Sequence, residues 1–412
     1  MTLQAVVTQH AEEASFHWLL RSVAVSAPHY DLRDLSQLDT RLDAHIDGLR
    51  IAGDDGWVTC MRDLPWEEPG DVFVGMLLAL ESSNSAKMDE MLTVAAGTPG
   101  LAEGAVSALG WIRTVPTQFL DGLLKRGEPI ARLIGLSALA VRREDPSGRF
   151  REWITAEEFG LRARALRAIG ELGRMDLVPD AERYLKAEEP EVRFSGAWSV
   201  ALLSGKPEAL SALAGIAQSD SPRRARALDT VMRRADPHAA KTWQRKLAQE
   251  SSTLRLAVQG VGAIGDPELI PWLIEQMQTP ELARVAGESF TTITGVDLAY
   301  QDLERDRPEG FESGPTEDPA DANVEMDPDE NLPWPDSALI QKWWQTNRAS
   351  FPPGSRYLIG KPITPDWCKQ VLRIGRQRQR AAAALELAMH QPGSPLFEVR
   401  APGFRQKQLL GL

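Results

Sequence analysis

The sequence predicts an all-α fold, an α-solenoid of stacked helical hairpins with atypical helical caps at its ends. Three observations predict it: a motif that recurs every 30 residues, small residues at helical spacing inside that motif, and turn residues between the copies. The composition agrees. Of 412 residues, 43% are hydrophobic and 25% charged, the balance of an ordinary soluble chain with ample apolar surface to bury.

The motif is a small residue, two of any kind, a second small or polar residue, then an aliphatic or aromatic one. It occurs as Met76, Ala79, Leu80; Ala105, Ala108, Leu109; Gly135, Ala138, Leu139; and Ala165, Ala168, Ile169. It continues as Gly196, Ser199, Val200; Ala227, Thr230, Val231; Ala257, Gly260, Val261; and Ala286, Ser289, Phe290. The middle positions advance by 29 to 31 residues. Positions i, i+3 and i+4 share one helical face, where small side chains let a second helix approach. Thirty residues accommodate two helices of about three turns and their connections. Turn signals stand where this requires them, at Asp145 with Pro146, Gly205 to Pro207, Asp236 with Pro237 and Asp266 with Pro267. One hairpin cannot cover its own apolar face, so the copies are expected to stack around one continuous core.

Weaker copies extend the register at His45, Gly48, Leu49 and at Ala381, Ala384, Leu385, as terminal caps would. The chain is therefore divided into a helical cap over 1–65, eight repeats over 66–301, an acidic linker over 302–331 and a basic helical module over 332–412. Twelve acids and two arginines give the linker a net charge of −10, against +8 for the segment that follows. Such a linker is expected to be loose. Tethered beside a basic module, it is expected either to fold back over Arg376, Arg378, Arg380 or Arg405 or to remain a free, solubilising tether.

The run LAVQGVGAIGDPELIPWLIEQM resembles the short HEAT-like repeats of phycobilisome-lyase-type proteins. The arginines at Arg132, Arg162, Arg193, Arg224, Arg255 and Arg284, five or six residues before each middle position, belong to that resemblance. Their expected role is to bond carbonyls or acids of adjoining turns, in preference to forming a binding stripe. A second resemblance rests on QHAEEASFHWLL, APHY, LDAHIDGLRIAG, and LPWP through GRQRQRAAAALELA to PLFEVRAPGFRQKQLLG. Together these resemble a bacterial family of HEAT-repeat proteins encoded in type VI secretion gene clusters. That resemblance implies a cytoplasmic accessory or effector-associated protein and supplies no catalytic chemistry.

Other function classes fall away. No apolar run reaches the roughly 20 residues of a bilayer helix, and Glu12 and Glu13 stand where a signal peptide would be basic. Cys60 and Cys368 allow at most one bridge and no four-thiolate zinc site. Both points place the protein in the cytoplasm. Gly260, Gly262 and Gly265 make a formal GxGxxG, yet the repeat register puts them on a helix with no preceding strand. His10 and His17 lie seven residues apart, two helical turns, and cannot chelate as a pair unaided. No catalytic residue, cofactor or metal is assigned.

The remaining candidates form a basic, partly aromatic surface for a partner: Trp343, Trp344, Arg356, Arg373, Arg376, Arg378, Arg380, Arg400 and Arg405. Arginines 373, 376 and 380 have the spacing of one helix face. The expected partner is another protein, such as a secreted effector or secretion component, because an acidic solenoid repels a duplex along its length. The expected function is a non-enzymatic protein-binding scaffold acting as effector adaptor, chaperone or immunity factor. The alternative, set by fold-level analogy with HEAT-fold DNA glycosylases, is a nucleic-acid-binding or base-processing protein.

Overall fold

The computed structural model describes residues 4–98, 100–115, 117–315 and 326–412. It is an all-α solenoid: among the described residues the regular elements are α-helices, short 3-10 turns and one two-residue hairpin, Tyr357–Leu358 against Lys361–Pro362. No helix among them is long and apolar enough to cross a membrane.

All eight motif copies lie on helices: Pro69–Ser82, Ala102–Trp111, Pro129–Arg142, Phe159–Glu171, Pro190–Ser204, Arg224–Arg234, Ser251–Ile264 and Pro280–Thr294. Every motif position is buried. Proline opens four of these helices, where its missing N–H costs nothing. The polar middle positions link consecutive repeats. Ser199 Oγ donates to the Leu166 carbonyl at 2.7 Å and accepts from the Gly170 N–H at 3.1 Å, and Ser289 Oγ donates to the Val258 carbonyl at 2.9 Å. The alternate helices are less regular than three turns each. Phe150–Trp153 and Val178–Glu182 are single turns entered through 3-10 segments, and Ile270–Gln276 is little longer.

The turn residues act as read. Asp236 accepts from the N–H groups of His238 and Ala239 ahead of Pro237, and Asp266 accepts from Glu268 N–H. Gly260 and Gly262 pack mid-helix against Met232 and Ser289, while Gly265 ends the helix in the left-handed conformation at φ +71°. The glycine pattern is thus a packing and capping feature. The repeat arginines bond as expected of a structural role: Arg132 to Glu158, Arg162 to the Ala156 carbonyl, Arg193 to the Ala187 carbonyl and Arg255 to the Glu281 carbonyl.

Two compact units divide the chain, residues 1–203 with 392–412 and residues 204–391. Their border falls inside the repeat array, with residues 332–391 in the second unit and 392–412 in the first. In the first unit, the helices Gln4–Ala24 and Leu32–Ala52 pair, and Asp31 begins the second with a capping box. The chain end returns along this unit: Leu396 N–H bonds the Glu171 carbonyl, Arg143 bonds Leu396 and Glu398, and Arg21 bonds the carbonyls of Arg400 and Ala401.

In the second unit, the core of the last two repeats continues into Ile340, Trp344, Phe351 and Tyr357. The backbone N–H groups of Tyr357, Ile359 and Gly360 bond the Gly265, Thr292 and Ile293 carbonyls, covering the open ends of two repeat helices. The acidic segment is not a loose tether where it is described. Asp327 pairs with Arg284 and Asp329 with Arg255, each at 2.6 Å, and Arg284 also lies over the Trp334 ring. Two of its described acids, Asp327 and Asp329, therefore meet repeat arginines, where the expectation was Arg376, Arg378, Arg380 or Arg405. Residues 316–325 lie outside the described residues.

Candidate protein-binding surfaces

The expected basic helix is two helices, Pro365–Ile374 and Gln377–His390, broken at Gly375. Arginines 373 and 380 consequently do not share a face. Arg380 is fully buried; it donates to the Leu372 carbonyl at 2.7 Å, in the last turn of the preceding helix, and to Gln377. Arg356 donates to the Ala263 and Ile264 carbonyls and to both oxygens of Glu386. Glu386 is buried and also receives Arg233, which pairs with Asp229 in addition. Burial alone would lower the Arg233 pKa, but Asp229 and Glu386 outweigh it and raise it. Trp344 is buried, and Trp343 packs edge-on against Phe290.

These positions are corrections to the expected surface. Arg380, Arg356 and Trp344 spend their contacts inside the fold because the repeat helices end in carbonyls and an apolar face that need cover. Arg376 and Arg378 stay exposed but pair with Asp297 and Glu288. Arg373 and Arg400 are exposed, and Arg405 is half-buried near the Ile112 carbonyl. Arg400 and Arg405 belong to the first unit and the others to the second.

A different surface stands out on the first helix. Its inner face, Val7, Ala11, Ala14, Trp18 and Ala24, is buried. On the opposite side Phe16, Leu19, Leu20 and Val23 follow at i, i+3, i+4 and i+7, between 40% and 62% exposed. The one charged residue among positions 14–23, Arg21, points inward to Asp39. Both faces of this helix are therefore apolar. A helix on the outside of a stacked array normally carries a polar outer face. Three of the four, Phe16, Leu19 and Leu20, fall in the motif QHAEEASFHWLL, whose apolar residues outnumber those one face can bury.

Histidines gather on the adjoining side of the same helix pair. His17 Nδ1 lies 2.8 Å from the Glu13 carbonyl oxygen and 3.6 Å from its carboxylate. His10 Nδ1 lies 3.2 Å from His45 Nδ1, and the His17 and His45 rings stack at 5.0 Å. Burial, with His17 and His10 beside it, pushes the His45 pKa below its ordinary value. The second helix thus supplies the neighbour that spacing along the first could not.

Residues 149–232 match the family model of HEAT repeats. They contain the motif copies at Ala165, Gly196 and Ala227. Comparison with curated proteins and with solved structures found no match.

Proposed function

We propose that this HEAT-repeat chain is a non-enzymatic scaffold that binds another protein through Phe16, Leu19, Leu20 and Val23. The observation that carries the reading is the exposed apolar row on a helix already buried along its other side. Four such side chains expose on the order of 300 Å², the size at which patches on monomers are often functional. Two copies meeting through this patch alone would bury about half of what a stable interface needs. A different protein, reaching beyond the patch, is the occupant that fits. Helix-on-helix packing matches the i, i+3, i+4, i+7 spacing.

The resemblance at both ends of the sequence supports a finer reading, an accessory protein of bacterial type VI secretion acting in the cytoplasm as effector adaptor, chaperone or immunity factor. The non-enzymatic reading is supported by the buried carboxylates of Asp39, Glu171 and Glu386 each being engaged by an arginine, Arg21, Arg164 and Arg233 in turn. The pairing of Arg376 and Arg378 with acids disfavours nucleic acid as the ligand.

Quantitative mass spectrometry of proteins co-purifying with the tagged chain from its native cells tests the proposal. One stoichiometric partner is expected with the parent chain and its loss with the double variant Leu19→Asp, Leu20→Asp. Retention of that partner by the double variant, or salt-sensitive capture of oligonucleotides by the parent chain, would contradict the proposal.

A further inference from the structure

Glu13, His17 and His45 bring one ligand atom each to within 4.8 Å of one another, and we propose that they bind a divalent transition-metal ion of the zinc class. Among the described residues they form the one group of three such side chains this close. Glu13 and His17 are neighbours at i and i+4 on the first helix, and His45 comes from the second. Atoms bonded tetrahedrally to zinc at about 2.0 to 2.2 Å lie roughly 3.3 to 3.6 Å apart. Closing the group on an ion thus requires the stacked His17 and His45 rings to turn their free nitrogens toward the Glu13 carboxylate as well as to approach it, and all three side chains are only half-buried.

The surrounding hydrogen bonds set the imidazoles for ligation. A carbonyl oxygen can only accept, so the 2.8 Å contact with Glu13 O places the His17 proton on Nδ1 and leaves the Nε2 lone pair for an ion. One of His10 and His45 must donate across their 3.2 Å Nδ1 contact. With His45 as donor, its Nε2 is likewise available and His10 is the acceptor that orients it. Metal-bound histidines are commonly held by such a partner on the other ring nitrogen. Gly48, one turn beyond His45, makes room for this: a Cβ there would fall 2.5 Å from His10 Cδ2. His10 is therefore a positioning residue. Two nitrogens and one carboxylate suit zinc, cobalt or nickel better than calcium or magnesium, which prefer all-oxygen sites. Three protein ligands leave a fourth coordination position to water.

The test uses the full chain, freed of metal by a chelator, titrated calorimetrically with Zn²⁺ and spectroscopically with Co²⁺. One ion per chain is expected, with visible cobalt bands and a higher melting temperature on Zn²⁺ addition. His17→Ala, His45→Ala and the near-isosteric Glu13→Gln should each weaken binding by at least about tenfold, whereas the exposed His238→Ala should leave it unchanged. His10→Ala should weaken binding and His10→Asn, which restores an acceptor, should recover part of the loss and the cobalt spectrum. Metal-free melts establish that each variant folds, and Glu13→Gln carries the test if a histidine variant does not. Absence of saturable binding in the parent, or unchanged binding in Glu13→Gln together with any folded histidine variant, overturns the proposal.

Discussion

Asp39 accepts a hydrogen bond at 2.5 Å from the backbone N–H of Gly403, 364 residues further along the chain. The same carboxylate pairs with Arg21, so the first two helices and the chain end meet at one buried anion. A Cβ on residue 403 would stand 2.4 Å from Ser36 Oγ and 3.1 Å from Asp39 Oδ2. Gly403→Ala is therefore expected to destabilise the first unit by about 1 to 3 kcal/mol, read in thermal or urea melts. A melt identical to the parent would show that this junction is loose.

Glycines divide into two kinds by what faces them. At Gly135 a Cβ would meet Leu123 and Leu124 at 3.0 to 3.1 Å, and at Gly196 it would meet the Ala181 carbonyl and Tyr184 at 3.2 Å. Gly135→Leu and Gly196→Leu, with Ala165→Leu at a fully buried motif position, should each cost about 1 to 3 kcal/mol. Gly122 and Gly215 lie on helices with nothing within 4 Å. Their replacement by alanine should instead stabilise by about 0.5 to 1 kcal/mol. Melts showing no difference between the two sets would contradict the repeat register.

The second unit depends on Glu386. Removing it in Glu386→Ala leaves Arg233 and Arg356 facing each other without their shared carboxylate, which should cost about 3 to 5 kcal/mol. Arg378→Ala breaks an exposed pair with Glu288 and should cost less than about 1 kcal/mol. Equal effects of the two substitutions in chemical denaturation would contradict the buried network.

Both cysteines are free and buried. Burial, reinforced by Asp63, pushes the Cys60 thiol up to about 12, and burial, with Glu386 near, pushes Cys368 up to about 11. Neither forms the reactive thiolate near neutral pH, so alkylation followed by mass spectrometry should label both only as the chain unfolds. Rapid labelling of the folded chain would contradict this packing.

The repeats were legible in the sequence because one local rule, a small or polar residue three after a mostly small one on a buried helix face, recurs at a constant period through eight copies. The basic segment was not legible in the same way. Spacing tells which arginines share a helix face, but it does not reveal that Gly375 breaks the helix or that Arg380 and Arg356 meet the carbonyl ends of helices. Glu386, in an alanine-rich helix, reads as a solvent-facing acid until Arg233, 153 residues away, is placed beside it. Such pairings are fixed by tertiary contact and leave no periodic trace. The outer row from Phe16 to Val23 did leave one, in a helix carrying apolar residues on two opposite sides.

Site-specific photo-cross-linking in native cells tests the central claim most directly. A photoreactive side chain at Leu19 or Val23 is expected to form a covalent adduct with one partner protein, while the same group at Arg373 gives none. Adducts from Arg373 with none from Leu19 or Val23 would contradict an interaction through the first helix.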